Sequence, residues 1–361
     1  MTRQLPRRLH AGAWWLWALG LMAVATQTTN PLLLGLVVAV CGVVVARRRG
    51  GAAWAGGYRA YLVVAAVVVA IRIFFRTLFG GGVGADVLFH LPRLSIPGGL
   101  TVGGPVTAQQ VLAGMYDGFR LAAILVCVGA ANTLADPRRL ARSLPAALSG
   151  VATSVVVALS LAPQLVESFA RIRRARRLRG ESGTGWRSLR PLLVPLAEET
   201  LHRSVSLAAS MEGRGYGRPS PSNRKWGAVA IGGLAPLAVG SFWLVTGSET
   251  VGATATVGAG AVLVVGGIAG AGNRDRRTRY RADRWERQEW LVGLSGVVAA
   301  VGVYVTAATT TGVLAPTLDP LTWPQLSPVA AISVLVAATP AVTAPPTPPV
   351  PSLRSIPEAA Q

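Results

Sequence analysis

The sequence predicts an all-α polytopic membrane protein, with transmembrane helices, long amphipathic cytoplasmic helices and an extra transmembrane hairpin in the C-terminal half. Three observations predict it. Hydrophobic residues make up 51% of the 361 and charged ones only 14%, with a mean hydropathy of +0.47. Apolar runs of roughly 20 residues, the helix length that crosses a hydrocarbon core, recur along the chain. The charge is one-sided, 35 Lys and Arg against 15 Asp and Glu. A basic soluble protein of this size would point to nucleic acid, but such proteins lack repeated runs of membrane length. The excess therefore belongs to membrane topology, and no nucleic-acid partner is expected.

The first run, Ala11 to Thr28, opens with Trp14, Trp15 and Trp17, a cluster suited to a membrane interface. It begins close to the N-terminus without a small-residue cleavage site, so it reads as a retained span and not a signal peptide. Asn30-Pro31 ends it, because a residue ahead of proline leaves helical space. Pro31 then opens a second run, which stops at Arg47, Arg48 and Arg49. Tyr58 to Phe79 and about Ala108 to Leu134 are the third and fourth. Trp226 to Thr246 and Gly252 to Gly272 form a hairpin joined by the turn "GSET", and Trp290 to Thr310 is another span. Ala330 to Thr339 is apolar, short and proline-bounded, which leaves crossing and surface-lying both open. The organisation expected is a bundle over 1–134, cytoplasmic helices over 135–225 and an inserted hairpin over 226–273. A basic linker and last span follow over 274–310, then an apolar and Pro-rich tail, largely disordered, over 311–361.

Placing the charges sets the sides. One face receives Arg3, Arg7, Arg8, Arg47 to Arg49, Arg59, Arg138, Arg139, Arg142, the central segment and Arg274 to Arg287. The other receives Gly80 to Val106, with Arg93 its one basic residue, the "GSET" turn, and Thr311 onward. Lys and Arg gather in short cytoplasmic loops, so the N-terminus and residues 135–225 are expected in the cytoplasm of a multi-pass plasma-membrane protein. Cys41 and Cys127 fall inside apolar runs and read as buried small hydrophobes, not as a disulfide or metal site.

Between Leu134 and Trp226 the pattern turns amphipathic. Asp136-Pro137 is a helix start, Asp at the cap and Pro in the first turn. A long helix is predicted from about Gly150 to Arg179. Its apolar stripe is Val151, Val155, Leu159, Ala162, Val166, Phe169 and Ile172, and Ser160 and Ser168 are expected near its edges or back. Pro163 interrupts it, six arginines crowd Arg171 to Arg179, and Gly180 ends it. A second helix runs from about Leu192 to Gly213 with a stripe of Leu193, Ala197, Leu201, Val205 and Ala208, and it too ends in Arg-Gly, at Arg214 and Gly215. On periodicity alone these are two capped cytoplasmic helices with arginines lying on anionic lipid.

The paired endings "LRG" (Leu178 to Gly180) and "GRG" (Gly213 to Gly215) resemble the two Ala-Arg-Gly motifs of the transmembrane T component of energy-coupling factor (ECF) ABC transporters, the EcfT/CbiQ family. "TTNPLLL" from Thr28, "TLADPRRLARSLP" from Thr133, "LSLAPQLVESFARIRRARRLRG" from Leu159, "SLAASMEGRGYG" from Ser206 and "RTRYRADRWERQEW" from Arg277 follow in that family's order. The chain departs from it in Leu178 and Gly213, where Ala is usual, and in the hairpin at 226–273. The resemblance implies a coupling subunit whose two cytoplasmic helices dock on a pair of ATP-binding-cassette ATPases, while a membrane S component binds a vitamin or transition-metal substrate. Arg179 and Arg214 would pair with carboxylates in the ATPase grooves, Gly180 and Gly215 would let the backbone turn away, and Arg176 and Glu212 would flank them. Leu159, Val166, Phe169, Leu201 and Val205 would form the coupling stripe. No cofactor is expected on this chain, since ATP belongs to the partner subunits.

Other chemistry is absent from the sequence. The single Lys, Lys225, follows Arg224, so no phosphate loop exists and the chain is not its own ATPase. "GRGYGR" has Arg218 where a dinucleotide loop needs its third Gly. Glu198 and His202 share a helix face but lack a second His or Cys nearby, which makes a poor zinc site. Arg72 and Arg76, near the outer end of their span, suit snorkelling better than a grip on the S component. The alternative class, a self-contained secondary transporter or membrane enzyme, requires ionisable residues near the midplane, which these runs nearly lack.

Overall fold

Residues able to cap or turn mark most helix starts and stops in this chain. The computed structural model describes residues 9–50, 57–79, 86–96, 100–143, 149–180, 190–214, 221–246, 250–272, 285–310 and 312–346. The elements are α1 (Ala11–Gln27), α2 (Pro31–Arg48), α3 (Tyr58–Phe79), β1 (Val87–Ile96), β2 (Leu100–Thr107), α4 (Ala108–Leu134) and α5 (Pro137–Ser143). After them come α6 (Ser149–Leu178), α7 (Arg190–Gly213), α8 (Pro221–Thr246), α9 (Thr250–Gly272), α10 (Arg287–Thr309), α11 (Pro328–Val336) and α12 (Pro340–Thr343). Caps explain several starts. His10 Nδ1 accepts from the Gly12 N–H at 3.0 Å, Asn30 Oδ1 from Leu32 at 3.0 Å, and Asp136 Oδ1 from Arg138 at 2.9 Å. The chain divides into two compact units, Met1–Leu140 with Asp283–Gln361, and Ala141–Ala282.

In the first unit α1 and α10 run parallel. Gly12 lies beside Trp285, Leu16 beside Gly293 and Gly20 against Gly296, and Gln27 Nε2 donates to the Tyr304 hydroxyl at 2.8 Å. At Gly20 and Gly296 the two backbones touch, so a Cβ on either would land on the other helix's main chain. α3 and α4 form an antiparallel pair, with Gly118 on Val69, Gly129 on Tyr61, and Asn132 Nδ2 donating to Tyr61 at 2.9 Å. The stretch joining them, which the charge pattern places on the face opposite the arginine-rich loops, holds an antiparallel β-hairpin pairing Val87 with Thr107 and Ile96 with Leu100. Pro92 within β1, and Gly103, Gly104 and Pro105 within β2, hide the strands from sequence pattern. Asp86, which has no obvious partner in the sequence, accepts from Gln109 Nε2 at 2.8 Å. Cys41 and Cys127 are buried, free, and face each other across α2 and α4 with Sγ atoms 3.7 Å apart.

Two expectations are corrected here. Trp14 and Trp17 are core residues and not an interfacial cluster, because α4, α10 and the C-terminal segment close over α1. The tail, expected to be largely disordered from 311, is folded over 312–346, with Ala330, Val334, Ala337 and Ala341 buried on α2 and α10. Side chains far away in sequence hold it, and no local pattern reveals them. Thr28 Oγ1 donates to the Leu314 carbonyl at 2.6 Å, and Asn30 Nδ2 donates to the carbonyls of Val313 at 3.1 Å and Gln325 at 2.6 Å. The buried Trp17 indole donates to Ala337 O at 2.8 Å, and Arg48 donates to Ala341 O and Val342 O, each at 2.9 Å through Nη2.

In the second unit α8 and α9 form an antiparallel hairpin, Gly233 on Leu263, Gly240 on Val257 and Gly267 on Ala230, so the helices meet over small residues. Among the described residues seven helices are long and apolar enough to cross a membrane: α2, α3, α4, α6 from Thr153, α8, α9 and α10. This makes the chain a multi-pass membrane protein. The set differs from the sequence's own, in which the first run counts as a span and residues 150–179 do not. α1 has only 17 residues, about 25 Å of helix.

Asn30 ties the turn between α1 and α2 to the segment after α10. Asn30→Ala removes the cap and two hydrogen bonds to partly exposed carbonyls, each contributing about 0.5–1.5 kcal/mol. The melting temperature of the detergent-purified chain is expected to fall by several degrees. Asn30→Ser, which restores the cap alone, should fall between the two, and an unchanged melting point in Asn30→Ala would remove the anchor.

Candidate functional site

The site is built on α6 and α7, and the sequence dictates how each ends. α6 closes with Arg179 N–H donating to Arg176 O at 3.0 Å and Gly180 N–H to Arg177 O at 3.1 Å, while Gly180 adopts φ +79°. That left-handed value strains any residue with a Cβ, so glycine is required for the backbone to fold away there. The space around Gly180 is open, so the requirement is conformational and not one of packing. α7 ends in a like turn, Arg214 N–H donating to Met211 O at 3.1 Å. The side chains of Arg179, Arg214 and Glu212 are exposed and Arg176 is half-buried, while Gly215 lies outside the described residues.

The two helices run antiparallel and meet at one carboxylate. Glu199 Oε1 on α7 accepts from Arg171 Nη2 at 2.8 Å, from Ser168 Oγ at 3.0 Å, and from Arg203 Nη2 at 3.2 Å. Arg171 also donates to Ser168 Oγ at 3.0 Å, and Arg203 Nη1 donates to Gln164 Oε1 at 2.9 Å. The Ser168 hydroxyl and the neighbouring guanidinium groups of Arg171 and Arg203 hold the Glu199 carboxyl below its usual range, despite partial desolvation. Because the crossing lies at Ser168 and Glu199 and the helices run in opposite directions, Arg179 and Arg214 project from opposite ends of the pair. They lie about 17 Å and about 22 Å from the crossing along their helix axes at 1.5 Å per residue.

The residues of the expected coupling stripe lie largely outside the α6–α7 contact. Val166, Leu201 and Val205 are 69%, 66% and 67% exposed, and Leu159 and Phe169 are half-buried. Ser168, expected near an edge or the back, is instead 2% exposed and sits at the contact. A small hydroxyl lets the helices approach, and the carboxylate and guanidinium groups pair across the gap, so the apolar side chains point outward. Glu198 and His202 are both exposed, and no group of three metal-binding side chains occurs among the described residues. The sequence held one signal for the crossing that apolar periodicity passes over, the Glu199–Arg203 pair four residues apart on one helix face.

Comparison with known proteins bears on this geometry. Residues 2–225 match the family model described as "CbiQ: Cobalt transport protein". A protein of Bacillus selenitireducens (strain ATCC 700615 / DSM 15326 / MLS10), the "Energy-coupling factor transporter transmembrane protein EcfT", is 28% identical over 226 residues, covering 56% of this chain and 77% of that one. The family match ends at residue 225, beside the start of the α8–α9 hairpin.

The crossing has a pH signature. A carboxyl whose folded value is depressed contributes its full stabilisation above the ordinary carboxylate range and loses it as pH falls through the lowered value. Spin labels on Ala170→Cys and Ala197→Cys, in a background without Cys41 and Cys127, should keep a narrow distance distribution from pH 8 to pH 5 and broaden only in stronger acid. Glu199→Gln should be broad throughout. A narrow distribution in Glu199→Gln would show that apolar packing alone sets the crossing.

Proposed function

The chain belongs to the CbiQ family of cobalt transport proteins, and from that premise we propose that it is the coupling subunit of an ECF-type ABC importer. As a T component it is a transport protein of the plasma membrane, and catalysis of ATP hydrolysis lies with other subunits. Its task is to pass the motion of two ATP-binding-cassette ATPases to a membrane S component that carries a vitamin or a transition-metal ion. The observation that carries this reading is the placement of two exposed arginine turns at opposite ends of one crossed helix pair. Two separate sockets, one on each ATPase, suit two plugs held apart by a pivot. Guanidinium forks suit carboxylate-lined grooves because they pair bidentately, which an ammonium cannot do. Closure of the ATPase dimer would then turn the α6–α7 pair about its crossing. The outward stripe of Val166, Leu201 and Val205 would press on whatever apolar surface covers it.

The parallel run of α1 and α10 supports placing α6 outside the bilayer, although α6 is long and apolar enough to cross. α1 and α10 traverse in the same sense, so an odd number of crossings must separate them. α2, α3, α4, α8 and α9 supply five, and a crossing by α6 would make the number even. The arginine-rich end of α6 then stays with Arg47 to Arg49 on the cytoplasmic side. The self-contained transporter finds little support. Asp117 and Arg120 of α4 are charged residues within a span, but Arg120 Nη2 donates to Thr26 O at the far end of α1. The Arg120 guanidinium is thus drawn toward that end of the bundle and away from the midplane, where a secondary transporter places its coupling groups.

Removing a charge from a desolvated interfacial pair costs about 2–5 kcal/mol. Arg179→Ala and Arg214→Ala should each weaken capture of the ATPases by at least tenfold, and together nearly abolish ATP-driven uptake. Arg→Lys at either position should recover only part of the binding. Wild-type capture by the double variant would rule out the arginine plugs.

A further inference from the structure

The segment after α10 carries an inference about the fold's topology. We infer that residues 326–343 form a further, proline-broken crossing of the membrane, returning the chain to the face that bears Arg47 to Arg49. Charge counting from the sequence leaves Thr311 onward on the opposite face, and both the family match and the resemblance end before this segment.

Four contacts give the segment's depth in order. Leu314 and Gln325 are held by Thr28 and Asn30, at the turn between α1 and α2. Ser333 lies against Gly302, in the half of α10 nearer that turn. Ala337 O accepts from the Trp17 indole at 2.8 Å, nearer the opposite end of α1. Ala341 O and Val342 O accept from Arg48, the last residue of α2. The segment thus runs beside α2 and in the same direction, from the level of its first residue to that of its last. α2 is 18 residues long, about 27 Å of helix, close to the roughly 30 Å of a hydrocarbon core.

A broken helix at this depth needs partners for its freed carbonyls, since lipid supplies none. α11 ends at Val336 and α12 begins at Pro340, so the backbone between them leaves the regular ladder. Trp17 caps Ala337 at that break, and Arg48 caps Ala341 and Val342 at its exit. Trp17 and Asn30 are buried; the Trp17 indole donates into the segment, and the Asn30 amide donates to the stretch that leads into it. A segment lying flat on the outer surface would reach neither Trp17 nor Arg48. The crossing also covers the side of the bundle formed by α2 and α10, so a second membrane subunit cannot dock there.

Impermeant thiol labelling of whole cells tests this in full-length chains lacking Cys41 and Cys127. Single cysteines would replace Gly50, Trp323, Thr343 or Pro346. Thr343→Cys and Pro346→Cys should behave as Gly50→Cys does and oppositely to Trp323→Cys, labelling only after permeabilisation if Gly50 is cytoplasmic. Labelling of Thr343→Cys and Pro346→Cys together with Trp323→Cys would overturn the crossing. The comparison is relative, so an inverted orientation of the whole chain, which would sink the cytoplasmic assignment above, leaves it intact and distinguishable.

Discussion

Hydrocarbon offers no hydrogen bonds, so a chain crossing it must pair every backbone donor and acceptor within itself. Helices do this along their length, and the difficulty falls on their ends and breaks. The first unit solves it with a few buried polar side chains. Asn30 caps α2 and donates twice to the segment 313–325, Trp17 donates to the open carbonyl at Ala337, and Arg48 closes the last ones. These bonds tie the C-terminal segment to α1 and α2 more than 280 residues away in sequence. The glycine contact between α1 and α10 brings the two parallel helices close enough for the scheme to work.

The second unit follows a different logic, in which pairing is concentrated at the helix crossing and the described helix ends are exposed. One carboxylate at the crossing, Glu199, satisfies three donors from both helices. Surface ion pairs contribute little in water, typically about 0–1 kcal/mol. A hub of this kind therefore specifies an angle and a register more than it adds stability. The tips carry exposed arginine side chains, and at the end of α6 Gly180 sits at φ +79°, a value that favours glycine. Rigid at the centre and open at both tips, the pair has the form of a lever.

Much of this was legible in the residues. The Asn30-Pro31 and Asp136-Pro137 helix starts, the Gly180 stop and the α8–α9 hairpin follow from capping chemistry and apolar run length, which are local. The paired Arg-Gly endings and the motifs in order were enough to point to the family. What stayed hidden was tertiary. Apolar periodicity marks an apolar face without saying whether lipid, a partner or the chain itself covers it, and it gives no sign that Ser168 and Glu199, not Val166 and Leu201, form the helix contact. Tryptophans near a chain start suit an interface statistically, yet Trp17 is buried because a segment three hundred residues away needs its N–H. The break near Pro340 made Ala330 to Thr339 look too short to cross, although the crossing is completed by residues that no helix-length criterion joins.

The central claim is that this chain works only as a coupler between other subunits. Affinity purification of the tagged wild-type chain from its own membranes, followed by mass spectrometry and by uptake in liposomes, tests it most directly. Two ATP-binding-cassette subunits and a small membrane protein should accompany the chain, and uptake should require all of them together with ATP. Uptake by the chain alone, driven by an ion gradient and indifferent to ATP, would contradict the account.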